Sequence, residues 1–180
     1  MYKTLGEWRG ERPSVYTFGD AAGVSRWIAS VICVDGVWKW CRWKCPQLLW
    51  DQLQIRDNNQ INVQELLSIV LTVFTFKEEI RGRLWHHWCD NDGITATMLQ
   101  GSSCCGDLNQ ITGKIWLTVA SLRAALHLER VESLANVADG PTRNSFWHLN
   151  KLRATEVQPI MPWWIKDVWQ PITSMSSVVS

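Results

Sequence analysis

At 180 residues, with 46% hydrophobic and 19% charged residues, the chain can bury a core of its own and is too apolar to be disordered. A formal net charge of +1 excludes a broad basic field. A nucleic-acid partner would therefore be held by a local patch, by aromatic contacts or with help from a neighbouring domain. Thirteen tryptophans are a large excess. The six cysteines, Cys33, Cys41, Cys45, Cys89, Cys104 and Cys105, show neither four-ligand zinc spacing nor a disulfide framework. Met1 to Arg12 is polar and charged, without a secretory signal, and no apolar run approaches the ~20 residues that span a bilayer. The expected setting is intracellular, reducing and without a membrane partner; the residues do not distinguish nucleus from cytoplasm.

Residues 1–14 read as an irregular lead-in ending at Pro13-Ser14. Val15, Tyr16, Thr17 and Phe18 favour a pleated, buried conformation and predict a first strand over about 15–20, ending on Asp20. Gly19 and Gly23 permit close backbone approach on either side of that carboxylate. A second apolar run covers Ser25 to Val34, and Asp35-Gly36 is a two-residue hairpin signal that sends Val37–Lys44 back as a third strand.

Pro46 to Asn59 reads as a polar connection. The period then becomes helical from about Ile61 to Ile80, with Leu66, Ile69, Val70, Val73 and Phe74 forming one apolar stripe and Gly82 as the stop. Arg83 to Cys89 is a fourth predicted strand, again stopping on a carboxylate, Asp90. A short helix over Gly93–Gln100 and a small-residue loop over Gly101–Gly106 follow. A long helix over Asn109–Leu126 and a brief strand over His127–Glu132 come next. Ser133 to Arg143 reads as a loop or helix start. Residues 145–180, with Pro159, Pro162, Pro171, Trp163, Trp164 and Trp169, read as a Trp/Pro-rich tail and not a second core. The order predicts an α/β fold, one mixed five-stranded sheet of three antiparallel strands and then parallel ones, with helices packed on it.

If strands one and four are neighbours, Asp20 and Asp90 open at one rim, a helix over that rim can lower Glu65 onto them, and Asp139 can close the group. Carboxylates gathered so tightly repel one another unless cations neutralise them. An oxygen-only ligand set suits Mg²⁺ or Mn²⁺. Two such ions ~4 Å apart stabilise the attacking and leaving oxygens of a phosphoryl displacement. Singly, such acids are as readily caps or turn residues. Asp92 competes with Asp90 and reads better as the cap of the next helix.

The pieces Tyr16-Thr17-Phe18-Gly19-Asp20-Ala21-Ala22-Gly23, Gln64-Glu65-Leu66-Leu67, Asp90-Asn91 and Asn136-Val137-Ala138-Asp139-Gly140-Pro141-Thr142-Arg143 resemble, in this order, the ribonuclease H domain of reverse-transcribing elements. The resemblance covers residues 15–144. It implies an RNase H-like fold in which Asp20, Glu65, Asp90 and Asp139 bind two Mg²⁺ ions and cut the RNA strand of an RNA–DNA hybrid. It also implies an adjacent polymerase domain or polyprotein as a partner. Asn91, Asn136 and Arg143 in these motifs, with Lys39 and Arg42, are the expected nucleic-acid-binding residues. The sequence departs from the family in three places. Ser133-Leu134-Ala135 has no His, Gly101–Gln110 has no Lys or Arg, and Gly19 interrupts the first motif. The missing His, the near-neutral charge and the irregular first motif carry the alternative, a catalytically degenerate RNase H-like module that binds nucleic acid or a protein partner. Exonucleases and integrases share the acidic plan, but integrase-type clusters place Glu last, whereas here it comes second.

His86-His87 could suggest a metal or a base. Within one strand, however, the two rings face opposite sides, which points to structural roles. Trp38, Trp40, Arg42 and Lys44 share one strand face and could stack on nucleic acid or lie beneath the C-terminal tail. Trp163, Trp164 and Trp169 could instead meet a neighbouring domain.

Overall fold

The computed structural model describes residues 13–54, 60–101 and 106–166. The lead-in over 1–12, Cys104, Cys105, Trp169 and Pro171 lie outside the described residues. Three antiparallel strands open the fold: β1 (Ser14–Ala21), β2 (Trp27–Val34) and β3 (Val37–Lys44). Asp35 and Gly36 take φ of 51° and 78°, the two left-handed residues a tight hairpin turn requires. Helices α1 (Gln47–Gln54), α2 (Gln60–Thr75) and α3 (Lys77–Ile80) lead to β4 (Leu84–Cys89). Then come α4 (Asp92–Gln100), α5 (Gly106–Ser121), β5 (Ala125–Arg130), α6 (Asp139–Thr142), α7 (Trp147–Lys151) and β6 (Thr155–Glu156). The sheet order is β5-β4-β1-β2-β3-β6, with β4 and β5 parallel to β1 and to each other.

The sheet has six strands where five were expected. Thr155 and Glu156 pair parallel with Lys39 and Trp40. A strand of two exposed polar residues carries no alternation to read. Part of the expected tail also joins the core: Trp164 and Ile165 are buried, and the Trp164 ring meets Phe74 edge-on at 6.0 Å. The expected polar connection contains α1, which buries Leu49 and Trp50. The long helix closes at Ser121 because Arg123 adopts φ of 52°, a left-handed stop made without glycine, so β5 begins two residues earlier than the sequence suggests.

Helix α2 is the centre of the molecule. The sequence predicts a single apolar stripe, yet every residue from Val63 to Val73 is buried, because the helix lies between β1 and β2 on one side and α5 on the other. Leu66, Leu67, Ile69 and Leu71 are fully buried, each contributing about 1.5–3 kcal/mol of transfer free energy. Its buried hydroxyls are satisfied. Thr72 bonds the carbonyl of Ser68 at 2.7 Å and faces the Ser30 hydroxyl at 2.6 Å, and Ser68 donates to the carbonyl of Glu65 at 2.6 Å. On the opposite sheet face Val31, Trp40, Ala138 and Leu149 form a smaller core under α6 and α7. Among the described residues no helix is long and apolar enough to cross a membrane.

Candidate functional site

The parallel pairing of β1 with β4 ends at Phe18 opposite Trp88. Two residues on from that pair stand Asp20, near the carboxyl end of β1, and Asp90, just past the carboxyl end of β4. Gly19 makes room for the helix that supplies the third acid. A Cβ at this position would overlap Ser68 Oγ and crowd the buried His87 ring, so only glycine lets α2 pack this closely on β1. Gly19, read from the sequence as an interruption of the first motif, is what the packing of α2 on β1 requires. Gly23 has no such neighbour, and the close approach expected there is absent.

With α2 so placed, one carboxylate oxygen each from Asp20, Glu65 and Asp90 lies within 4.8 Å of the others. Asp20 and Glu65 are buried and Asp90 is half-buried. Burial and the neighbouring charges of Asp20 and Asp90 push the Glu65 carboxyl up to about 9. Burial also raises Asp20 to about 6, against the opposing hydrogen bond from Thr142. Glu65 Oε2 is buried without a hydrogen-bond partner. An orphaned carboxylate oxygen, an all-oxygen donor set and mutual repulsion together fit a hard divalent cation of the Mg²⁺ or Mn²⁺ kind.

Asp139 stands apart from that trio. It is half-buried, and its Oδ1 accepts from Arg143 Nε at 2.6 Å, although its charge still raises Asp20 and Glu65. The segment carrying it is fastened to the sheet by residues expected elsewhere to touch nucleic acid. Asn136 is buried, donating to the carbonyl of Gly19 at 3.0 Å and accepting from Ala138 N at 3.1 Å. Arg42 donates to Asn144 Oδ1 at 2.6 Å and to the carbonyl of Pro141 at 3.2 Å, with its guanidinium 4.1 Å from the Trp27 ring centroid. Lys39 pairs with Glu79 at 2.8 Å. Asn91, not Asp92, caps α4, accepting from Ile94 N at 3.2 Å and donating to Asn62 at 3.0 Å. Asp92 instead pairs with Arg130 at 3.1 Å. Trp40 packs on Phe146, so part of the tryptophan face lies beneath the C-terminal segment.

Thr142 is the site residue that sequence reasoning left out. Its hydroxyl donates to Asp20 Oδ2 at 2.6 Å, and the signal was its place in the Asn136–Arg143 piece. His86 and His87 do face opposite sides. His87 is fully buried, with Nδ1 2.7 Å from the Thr17 hydroxyl, and burial lowers its pKa to about 3.

No protein-family profile and no curated protein matches the chain by sequence. Solved structures do resemble it. The LC11 RNase H1 structure in complex with an RNA/DNA hybrid superposes with a TM-score of 0.51 at 13% identity, covering 76% of this chain and 98% of that one. A second structure of LC11 RNase H1, isolated from compost, covers 71% of this chain and 89% of its own at a TM-score of 0.47 and 16% identity. With three antiparallel strands, two parallel strands beside them and α2 across one face, the chain has the ribonuclease H-like fold.

Proposed function

We propose that the chain is a divalent-metal-dependent nuclease that cuts the RNA strand of RNA–DNA hybrids, leaving 5′-phosphate and 3′-hydroxyl ends. The observation that carries this reading is the convergence of Asp20, Glu65 and Asp90 to within 4.8 Å at the carboxyl ends of two parallel strands. These three residues would hold the cations, Mg²⁺ or Mn²⁺, with Asp139 completing a two-ion site once it exchanges Arg143 for metal. The chemistry supplied by such a bound pair is Lewis-acid stabilisation of the attacking and leaving oxygens of a phosphodiester.

The protein's own contribution is preorganisation. Buried Asp20 is held by Thr142, and Glu65 is held on a helix that cannot shift without disrupting the core. RNA would be selected through its 2′-hydroxyls. The wording of Tyr16–Gly23 and Asn136–Arg143 supports a retroelement origin, with residues 15–144 as the nuclease domain and a polymerase domain or polyprotein as its neighbour.

The test is cleavage of an end-labelled hybrid in Mg²⁺ by the native chain and by Asp20→Asn. Metal-dependent cutting that Asp20→Asn abolishes is expected; cutting of equal rate in both would remove the proposal. A degenerate binding module is the second reading, favoured by the tight Arg143–Asp139 pair. Hybrid binding that survives Asp90→Asn, with no turnover by the native chain at any Mg²⁺ or Mn²⁺ concentration, would select it.

A further inference from the structure

On the sheet face opposite α2, the cross-strand register brings together donors that no single strand could assemble. His86 of β4 pairs beside His127 of β5, and Glu129 lies two residues along the same face of β5. His127 Nε2 is 3.0 Å from Glu129 Oε1, and His86 Nδ1 is 4.0 Å from the same oxygen. One ligand atom from each of the three lies within 4.8 Å of the other two. We propose that His86, His127 and Glu129 form a second metal site that takes one borderline transition dication of the Zn²⁺ class and clamps β5 to β4.

Three features favour a site over a chance cluster. Two imidazoles and a carboxylate are the donors of zinc-class ions, and a tetrahedral ion ~2.0–2.1 Å from each ligand needs its ligands about 3.3 Å apart. The observed 3.0 and 4.0 Å from Glu129 Oε1 to the two imidazoles bracket that spacing, and one ring nitrogen of each histidine lies within 4.8 Å of the other. The donors are also oriented from outside. Trp88 Nε1 donates to Glu129 Oε2 at 3.1 Å, leaving Oε1 turned to the histidines, and the His86 ring stacks on Tyr16 at 5.3 Å and on Trp88 at 5.8 Å. Access is open, since the His127 side chain is 57% exposed and that of Glu129 42%. Water can therefore complete the coordination.

This site is independent of the nuclease reading. Asp90 lies four positions beyond His86, just past the end of β4 and about 13 Å along the extended chain, and the donor chemistry differs. A single ion here would tie the last strand in the sheet order to its neighbour, adding a cross-link at the edge to the backbone ladder and the Trp88–Glu129 bond.

The experiment titrates Co²⁺ and Zn²⁺ into the full chain in excess Mg²⁺, which occupies the carboxylate cluster. Native protein should bind one Co²⁺ with visible absorption bands of imidazole coordination, and Zn²⁺ should displace it and raise the melting temperature. His127→Ala should weaken binding at least tenfold and abolish the bands. Trp88→Phe, which keeps a ring but loses the donor, should weaken binding by about tenfold. Asp90→Asn should leave both readouts intact. Folding of each variant is checked by circular dichroism. Bands that persist in folded His127→Ala, bands lost in Asp90→Asn, or no binding by the native chain would each overturn the proposal.

Discussion

Thr142 donates its hydroxyl proton to Oδ2 of Asp20 at 2.6 Å, across 122 residues of chain. The bond lies in a buried setting, so removing it strands a carboxylate oxygen as well as deleting a contact. The bond also opposes the burial that raises Asp20, so without it the Asp20 carboxyl climbs higher still. Thr142→Val, equal in shape, should cost about 1.5–3 kcal/mol of stability and raise the Mg²⁺ needed for half-maximal cleavage about tenfold. Thr142→Ser should restore both. Urea unfolding and a Mg²⁺ titration of hybrid cleavage measure the two effects, and an unchanged Mg²⁺ requirement in the Val variant would sink the positioning role.

The metal-free protein should lose stability as pH rises, contrary to the usual behaviour of paired carboxylates. Glu65 titrates near 4.5 when unfolded and about 9 when folded, and Asp20 moves from 3.8 to about 6. Between those values the folded chain holds protons that the unfolded chain has released, so unfolding gains ground with increasing pH. Their contribution is complete below about pH 4 and is lost as pH passes about 6 for Asp20 and about 9 for Glu65. In EDTA the melting temperature should fall from pH 5 to pH 9. Glu65→Gln should flatten that fall and be more stable than the native chain at pH 8 by an order of a few kcal/mol. Saturating Mg²⁺ should flatten it too, because the cation takes the place of the protons. Parallel pH profiles for native and Glu65→Gln proteins would contradict this account.

The sheet, and the strand ends that bring Asp20 and Asp90 together, were legible because both rest on local patterns. Val15–Phe18 and Leu84–Cys89 are apolar runs that stop on carboxylates, and Asp35-Gly36 is a turn written in two residues. What escaped was whatever depends on a distant partner. The stretch from Pro46 to Asn59, read as a polar connection, contains α1, whose Leu49 and Trp50 find the core. The stop at Arg123 needs a left-handed backbone with no glycine to announce it. His86 seemed idle beside His87 because its neighbours, His127 and Glu129, belong to another strand. Asn91 and Asp92 are both good caps, and only the bond from Ile94 N decides between them.

Gly19 sets how near α2 comes to β1, and through that the reach of Glu65. Gly19→Ala places a methyl group against Ser68 Oγ and beside His87. Both neighbours are fully buried, so relief costs either a shift of the helix or the turning of Ser68 away from its bond to the Glu65 carbonyl. The substitution should cost about 1–3 kcal/mol and reduce cleavage by displacing Glu65. In a Ser68→Ala background, which removes the overlapping oxygen, about half that cost should vanish. A double-mutant cycle by urea unfolding measures the coupling. Strict additivity of the two substitutions would show that the close approach is not what requires glycine here.

Arg42 separates a phosphate contact from a structural anchor. Its Nη1 bonds Asn144 Oδ1 and the carbonyl of Pro141, and the guanidinium lies 4.1 Å from the Trp27 centroid and 5.0 Å from that of Phe146. The bonds to Pro141 and to Asn144 just beyond it tie α6, which carries Asp139 and Thr142, to β3. Arg42→Ala should therefore destabilise the fold by about 1–3 kcal/mol and slow cleavage, while hybrid binding keeps its dependence on salt. Loss of a direct phosphate contact would instead reduce the slope of log affinity against log salt by about one. Arg42→Lys should rescue little, since an ammonium cannot lie flat on Trp27 as the planar guanidinium does. Binding of a labelled hybrid to the three proteins across a series of salt concentrations distinguishes the cases, and a shallower slope in Arg42→Ala would return this residue to the nucleic-acid interface.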